Sequence, residues 1–223
     1  MTESYLNACC TKGQTRRGGF TLIELLATVA IIAILASLVF AFLPNMQNGS
    51  RRAAALNSLR QLGAGLVLFA GENQNLLPGR VESSDKWPRL LLPYVGGDTR
   101  LYSQPGDKKS FLSTGADPLS NERNNTSYIL NGFNDMGTKT DETATVSMVR
   151  VQKPAETILM GTQSGTGHFY LDLADGDQNA VLNTKAFGSG SCYLFADGSA
   201  RYISAAEYSH DLWLVDKESD VLQ

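Results

Sequence analysis

An uninterrupted apolar run at residues 20–43 constrains this chain more than any other feature. Its sequence is FTLIELLATVAIIAILASLVFAFL, and its one charged residue is Glu24. A helix of about 20 apolar residues spans the hydrocarbon core of a bilayer, whereas the helix of a soluble core keeps a polar face. The run is also longer than the roughly 7–15 apolar residues of an ordinary secretory signal. It therefore predicts a transmembrane helix over residues 20–43.

The charges next to this run predict its orientation. Residues 1–19 carry Lys12, Arg16 and Arg17 against a single acidic residue, Glu3. Because positively charged flanks stay in the cytoplasm, we expect the N-terminus on the cytoplasmic side of the membrane and the bulk of the chain outside. The formal net charge of the whole chain is -3, which gives no argument for nucleic-acid binding.

Residues 44–72 predict an amphipathic continuation of the helix. Pro44 removes a backbone hydrogen bond, so we expect it to kink or interrupt the helix. Beyond it, apolar residues recur at three- and four-residue spacing and form one stripe. The members of this stripe are Leu56, Leu59, Leu62, Leu66 and Phe69. We expect the remaining 73–223 segment to cover it.

Residues 73–223 have the pattern of short strands separated by turns. Strand-like runs begin near Tyr128, Thr157 and Cys192, and the last run leads into Asp197-Gly198. Asp-Gly fits the two positive-φ positions of a type I′ turn, so we expect a hairpin there. Cys192 has no disulfide partner outside residues 1–19, and we expect it to be a buried strand residue. The predicted class is α+β, with a long helix packed on a small antiparallel sheet.

The residues around Glu24 form a recognisable motif, Arg16-Arg17-Gly18-Gly19-Phe20-Thr21-Leu22-Ile23-Glu24. It closely resembles the class III signal of type IV prepilins and type II secretion pseudopilins. In that family a prepilin peptidase cuts after the glycine and methylates the new N-terminal amine. The resemblance implies a leader of residues 1–19, cleavage between Gly19 and Phe20, N-methylation of Phe20, and a role for Glu24 in assembly.

The chemistry of these residue types agrees with that interpretation. Gly19 has no Cβ, which suits a narrow protease cleft. A carboxylate inside an apolar helix costs several kcal/mol and marks a functional candidate. Cleavage would create an amine four residues before Glu24, on the same helix face. In a filament, the amine of one subunit can instead meet Glu24 of a neighbour and favour a fixed axial register.

A looser resemblance covers much of the remaining chain. The segments 51–63 and 194–198 are similar to prepilin-like proteins of the planctomycete type, which carry a C-terminal His-x9-Asp-Gly signature. In this sequence Phe187 occupies the histidine position. Any role of that histidine therefore does not transfer to this chain.

An acidic segment, LDLADGDQN, suggests a metal site. Asp172, Asp175 and Asp177 place carboxylates around a glycine turn, and Ca²⁺ takes 6–8 oxygen ligands in flexible loops. Major pseudopilins often carry a calcium-binding loop in their C-terminal region, so the resemblance implies the same possibility here. The spacing is not that of an EF-hand, and a solvated acidic turn is the alternative. No other cofactor is expected.

The resemblance implies a structural subunit, and we find no convincing nucleophile, base or metal set for an enzyme. We expect a pseudopilin of a type II secretion pseudopilus that supports protein export. Its expected partners are prepilin peptidase, other pilin-like subunits, the inner-membrane assembly platform and membrane lipid. Two alternatives stay open: a type IV pilus subunit for adhesion, motility or DNA uptake, and a membrane-tethered binding module that does not polymerise.

Overall fold

The structure of the chain forms two compact units that divide after Pro44. It is a computed structural model and describes residues 19–79, 85–117, 119–120, 125–132, 147–165, 167–171 and 178–215, without the side chains of residues 41–45, 113, 178 and 179. The first unit contains the apolar run. The second, Asn45–Gln223, is called the head domain below.

Helix α1 runs from Leu22 to Glu72 and contributes to both units. Residues Leu22–Phe40 are long and apolar enough to cross a membrane, and no part of that stretch is buried. Residues Met46–Glu72 meet the same composition test, but 39% of the stretch is buried, because it is the central helix of the head domain. Of the two effects expected at Pro44, a kink or an interruption, the interruption is wrong, since α1 continues through that residue. A proline removes one backbone donor, and the neighbouring helical bonds can persist around it.

Helix α1 ends in a tight turn with left-handed backbone. The N–H of Asn75 donates to the carbonyl of Ala70 (2.8 Å), and that of Leu76 donates to Asn73 (2.9 Å). Gln74 and Asn75 have φ angles of 57° and 62°. These bonds satisfy carbonyls that the helix end would otherwise leave without a partner.

Short helical elements follow α1 and pack beside it. Helix α2 covers Trp87–Leu91, with Pro88 in its first turn, and a 3₁₀ turn follows at Leu92–Val95. The rings of Trp87 and Tyr102 meet edge to face at 5.6 Å, and the Tyr102 hydroxyl donates to the carbonyl of Pro88. The other short elements are a 3₁₀ turn at Thr99–Tyr102, α3 at Phe111–Thr114, a 3₁₀ turn at Met148–Arg150, α4 at Gln178–Val181 and a 3₁₀ turn at His210–Trp213.

The sheet has five strands in the order β3-β1-β2-β4-β5. They are β1 Tyr128–Asn131, β2 Ile158–Thr162, β3 Tyr170–Leu171, β4 Gly190–Phe195 and β5 Ala200–Ser204. The α+β class is confirmed, but the sheet is mixed, because β1 and β3 pair in parallel. Strand β3 is two residues long, too short for an alternation pattern to reveal it or its direction.

The two faces of the sheet pack against different parts of the head domain. Leu130, Met160 and Leu194 share a core with the buried stripe of α1. Ile129 and Tyr193, which alternate with residues of that face, pack with Trp213 of the C-terminal segment. The side-chain amide of Asn131 ties this segment down by donating to the carbonyls of Ile158 (2.7 Å) and Trp213 (2.8 Å).

The β4–β5 hairpin exists, but its predicted turn type is wrong. Its loop has three residues, and the N–H of Phe195 donates to the carbonyl of Ser199 (2.8 Å). Gly198 has a φ of 80°, whereas Asp197 is absent from the residues with positive φ. A turn followed by a left-handed glycine is the usual three-residue hairpin loop, and an Asp-Gly pair fits it as well as a type I′ turn.

Candidate processing and assembly site

The predicted cleavage point lies immediately before α1, in non-helical backbone. Gly19, Phe20 and Thr21 precede the first helical residue, Leu22. The Phe20 side chain is 84% exposed, and a Cβ built on Gly19 would meet nothing within 4 Å. Neither residue is covered by the described parts of the chain, so this backbone is sterically open to a protease.

Glu24 caps the first turn of α1. Its Oε2 accepts hydrogen bonds from the backbone N–H and the hydroxyl of Thr21, both at 2.9 Å. In return, the N–H of Glu24 donates to the Thr21 hydroxyl oxygen at 3.3 Å. This reciprocal arrangement is a capping box, which satisfies donors that a helix start otherwise leaves unpaired. The spacing Thr-x-x-Glu was a sequence signal for it, and sequence reasoning passed over it.

The capping box places the carboxylate of Glu24 close to the predicted new N-terminus. Its acceptor oxygen bonds the amide of Thr21, which is one peptide away from Phe20. A carboxylate at a helix start also meets the positive end of the helix dipole. Within one chain, Glu24 therefore already has local partners, before any pairing with a neighbouring subunit.

The stripe predicted on the second part of α1 is confirmed as the face that packs on the head domain. Leu59, Leu62 and Leu66 are fully buried. Two small residues between them allow close approach, and sequence reasoning did not single them out. A Cβ on Gly63 would lie 2.7 Å from Leu194, and one on Gly65 would lie 2.8 Å from Val95.

The opposite face of α1 presents a second, uncovered apolar stripe. Ala64, Val67, Leu68 and Gly71 follow one another at helical spacing and are all exposed. Val67 is 52% and Leu68 58% exposed, although both lie within the head domain. This outer stripe carries no charged residue between Arg60 and Glu72.

Residues 14–40 match the family model described as the prokaryotic N-terminal methylation motif. The chain carries a type IV prepilin-like signal. The match includes Gly19, Phe20 and Glu24, and the motif indicates a type IV pilin- or pseudopilin-like protein that α1 anchors in a membrane. No curated protein and no solved structure matches the chain.

The side chains of Arg51 and Arg52 contact other residues of the head domain. The Arg51 guanidinium lies against Gly106, where a Cβ would be 2.9 Å from its Cζ. The Arg52 guanidinium lies over the ring of Tyr202, 4.7 Å from the centroid, which is a cation–π contact. Both side chains nevertheless remain exposed on their other sides.

Two other positions named from the sequence belong to the packed part of the head domain. Cys192 is buried in β4 as a free cysteine, as predicted, and burial raises the pKa of its thiol to about 12. Phe187 is half-buried and packs against the main core of the head domain.

Asp172, Asp175 and Asp177 lie outside the described residues, so the calcium prediction remains untested. Within the described ranges, no group of three or more His, Cys, Asp and Glu side chains is placed to hold a metal ion.

Proposed function

We propose that the chain is a structural subunit of a type II secretion pseudopilus and assembles through helix α1 to support protein export. The observation that carries the proposal is an apolar helix, Leu22–Phe40, with no buried residue and with a carboxylate in its first turn. Lipid covers such a helix while the subunit is in the membrane. Once the subunit leaves the membrane, the corresponding helices of other subunits take the place of lipid.

The outer stripe supports the same use of α1 within the head domain. Ala64 and Gly71 are small, so a neighbouring helix can approach closely there, and Val67 and Leu68 add apolar area. One side of this stretch of α1 packs on its own head domain, and the other is available to neighbouring subunits.

Glu24 sets the axial position of each subunit in this proposal. In the membrane its carboxylate is held by Thr21 of the same chain. In the filament it meets the methylated amine of Phe20 from an adjoining subunit, and the ion pair forms at one axial stagger. A carboxylate left without a cation in an apolar bundle is strongly unfavourable, so other staggers are rejected.

The partners follow from this sequence of steps. Prepilin peptidase removes residues 1–19 on the cytoplasmic side and methylates Phe20. The processed subunit waits in the inner membrane with the head domain in the periplasm, and an assembly platform then moves it into the filament. The chain itself carries out no catalysis.

The direct test replaces Glu24 by leucine and follows processing and assembly separately. Glu24→Leu should be cleaved normally and accumulate in the membrane, while the filament fraction obtained by shearing is lost. Ser37→Leu is the matched control, because Ser37 is also exposed on α1 and its hydroxyl bonds only inside the helix, to Ile34. Filaments made by Glu24→Leu in normal amounts would contradict the proposal.

Deletion of the gene distinguishes a pseudopilin from a type IV pilus subunit. If the chain is a pseudopilin, secreted proteins should accumulate in the periplasm of the deletion strain. Intact secretion together with loss of surface filaments, twitching or DNA uptake would assign the chain to a pilus instead.

A further inference from the structure

The contacts of α1 with the head domain run in order along the helix and define two ends of the domain. Arg51 meets the loop at Gly106, Gly63 meets Leu194 of β4, and Glu72 accepts a hydrogen bond from Tyr94 (2.6 Å). The loop of residues 105–109 therefore lies at the end of the head domain where the chain arrives from the apolar run.

The chain length limits how far this end lies from the membrane. Arg51 follows Pro44 by seven residues, which as helix cover about 10 Å whatever the angle between the two units. Each interfacial layer of a bilayer is about 5–8 Å thick, and side chains of a helix lean toward its N-terminus, here toward the apolar run. The arginine side chains at 51 and 52 therefore start within reach of lipid headgroups.

Basic residues gather at this end of the head domain. Arg51 and Arg52 are exposed at the start of the docked helix, and Lys108 and Lys109 are exposed two and three residues after Gly106. Gly106 has a φ of 86°, so its backbone turns tightly beneath the Arg51 guanidinium and keeps the loop beside the helix. We call these four residues the basic collar.

Two of the described acidic residues at this end of the head domain make local hydrogen bonds. Asp107 accepts bonds from the N–H of Lys109 (2.9 Å) and the hydroxyl of Ser127 (2.7 Å), which fixes the loop. Glu207 follows the last residue of β5, at the end of the β4–β5 hairpin away from its turn, and accepts a hydrogen bond from the Ser204 hydroxyl (2.8 Å). Lys109 also has a local partner, because its ammonium donates to the carbonyl of Ser164 (2.9 Å). The side chains of Arg51, Arg52 and Lys108 are exposed among the described residues.

We propose that the basic collar binds the phosphate groups of anionic phospholipids in the membrane that anchors α1. Guanidinium and ammonium groups are the side chains best suited to phosphate oxygens, and several at a fixed spacing act together at an anionic surface. The contact holds the head domain down on the bilayer while the subunit waits for assembly. The proposal depends on membrane anchoring and is independent of filament formation.

The test measures how fast lysines are acetylated in the full chain reconstituted in vesicles. Lys108 is compared with Lys153, which is also exposed. Lys153 lies at the other end of the domain, because the carbonyl of its neighbour Pro154 accepts a hydrogen bond from the N–H of Asp197 in the β4–β5 turn. In vesicles with 30% phosphatidylglycerol in phosphatidylcholine, Lys108 should be acetylated at least threefold more slowly than in phosphatidylcholine alone. Lys153 should react equally in both, and 0.5 M NaCl should abolish the difference.

A second variant ties the effect to the collar. Arg51→Gln removes one cation and the guanidinium that covers Gly106, and should halve the protection of Lys108 or more. Equal acetylation of Lys108 in the two kinds of vesicle would overturn the proposal. Protection that is already complete in detergent, or that rises with protein concentration, would assign the collar to a protein partner and overturn it as well.

Discussion

Gly63 of α1 lies directly against Leu194 of β4, so that a Cβ on the glycine would be 2.7 Å from the leucine Cδ1. Leu194 is fully buried and belongs to the main core of the head domain. This contact sets how closely the helix approaches the sheet. A larger residue at position 63 must push the helix and the strand apart or force Leu194 from its rotamer.

Gly63→Val should therefore lower the free energy of unfolding of the head domain by about 1–3 kcal/mol. Gly71→Val is the matched control, because a Cβ there meets nothing within 4 Å, and it should change stability by less than about 0.5 kcal/mol. Urea unfolding in detergent can be followed by tryptophan fluorescence, since Trp87 and Trp213 are both fully buried. Equal effects of the two variants would contradict the close approach at Gly63.

The sequence predicted the buried leucines on this face of α1, but not the glycine that lies among them. Leu59, Leu62 and Leu66 form a periodic pattern, because burial along a helix repeats with its turn. Gly63 gives no hydrophobic signal, and its importance arises from Leu194, more than a hundred residues later in the chain. Thr21 was likewise overlooked, because it lies in an apolar run whose length dominated the interpretation.

The sheet was likewise predicted only where the sequence carries a local pattern. Tyr128, Thr157 and Cys192 correctly marked three strands, because each of these strands is four to six residues long and contains an apolar run. Tyr170 and its neighbour pair in parallel with β1 through only two residues, and pairing direction depends on a long-range contact that local pattern does not encode. The hairpin turn was misjudged because Asp197-Gly198 suits two loop geometries.

Gln74 carries backbone strain that a glycine would relieve. Its φ of 57° is left-handed, a conformation that costs a residue with a Cβ roughly 1–2 kcal/mol. Gln74→Gly should raise the free energy of unfolding by about 0.5–1 kcal/mol, after the greater entropy of the unfolded chain is subtracted. Gln61→Gly, in the exposed interior of α1, should lower it by about 0.5 kcal/mol. A lower free energy of unfolding in Gln74→Gly would rule out strain at residue 74.

Asp197 should contribute to the acid sensitivity of the head domain. Partial burial alone would raise its pKa, but hydrogen bonds from the N–H (2.9 Å) and hydroxyl (2.6 Å) of Ser199 and the charge of Arg201 outweigh burial and lower it. Because the folded pKa is the lower one, the stabilisation is present above the unfolded pKa of about 3.9 and is lost as pH falls through the folded value.

The wild-type chain should therefore lose more stability between pH 6 and pH 3 than Asp197→Asn does. Ser199→Ala should fall between the two, because it removes the hydroxyl donor and keeps the backbone donor. The measurement is the urea midpoint at each pH. Identical acid dependence in the wild type and Asp197→Asn would show that the carboxylate is not stabilised in the fold.

Glu24→Gln separates the two roles of the carboxylate. A glutamine oxygen can still accept the Thr21 bonds that Glu24 now accepts at 2.9 Å, so the cap is retained while the charge is lost. If an ion pair with the Phe20 amine of a neighbour sets the register, Glu24→Gln should fail to assemble, as Glu24→Leu does. Quantitative blotting of the sheared filament fraction measures this, and normal assembly of Glu24→Gln would leave capping as the role of the residue.

Mass spectrometry of the N-terminus of the chain purified from its native membrane shows whether the chain is processed as a prepilin. We expect a polypeptide that begins at Phe20, with one methyl group on its α-amine and residues 1–19 removed. A chain that retains its first 19 residues, in cells that process other prepilins, would contradict this expectation.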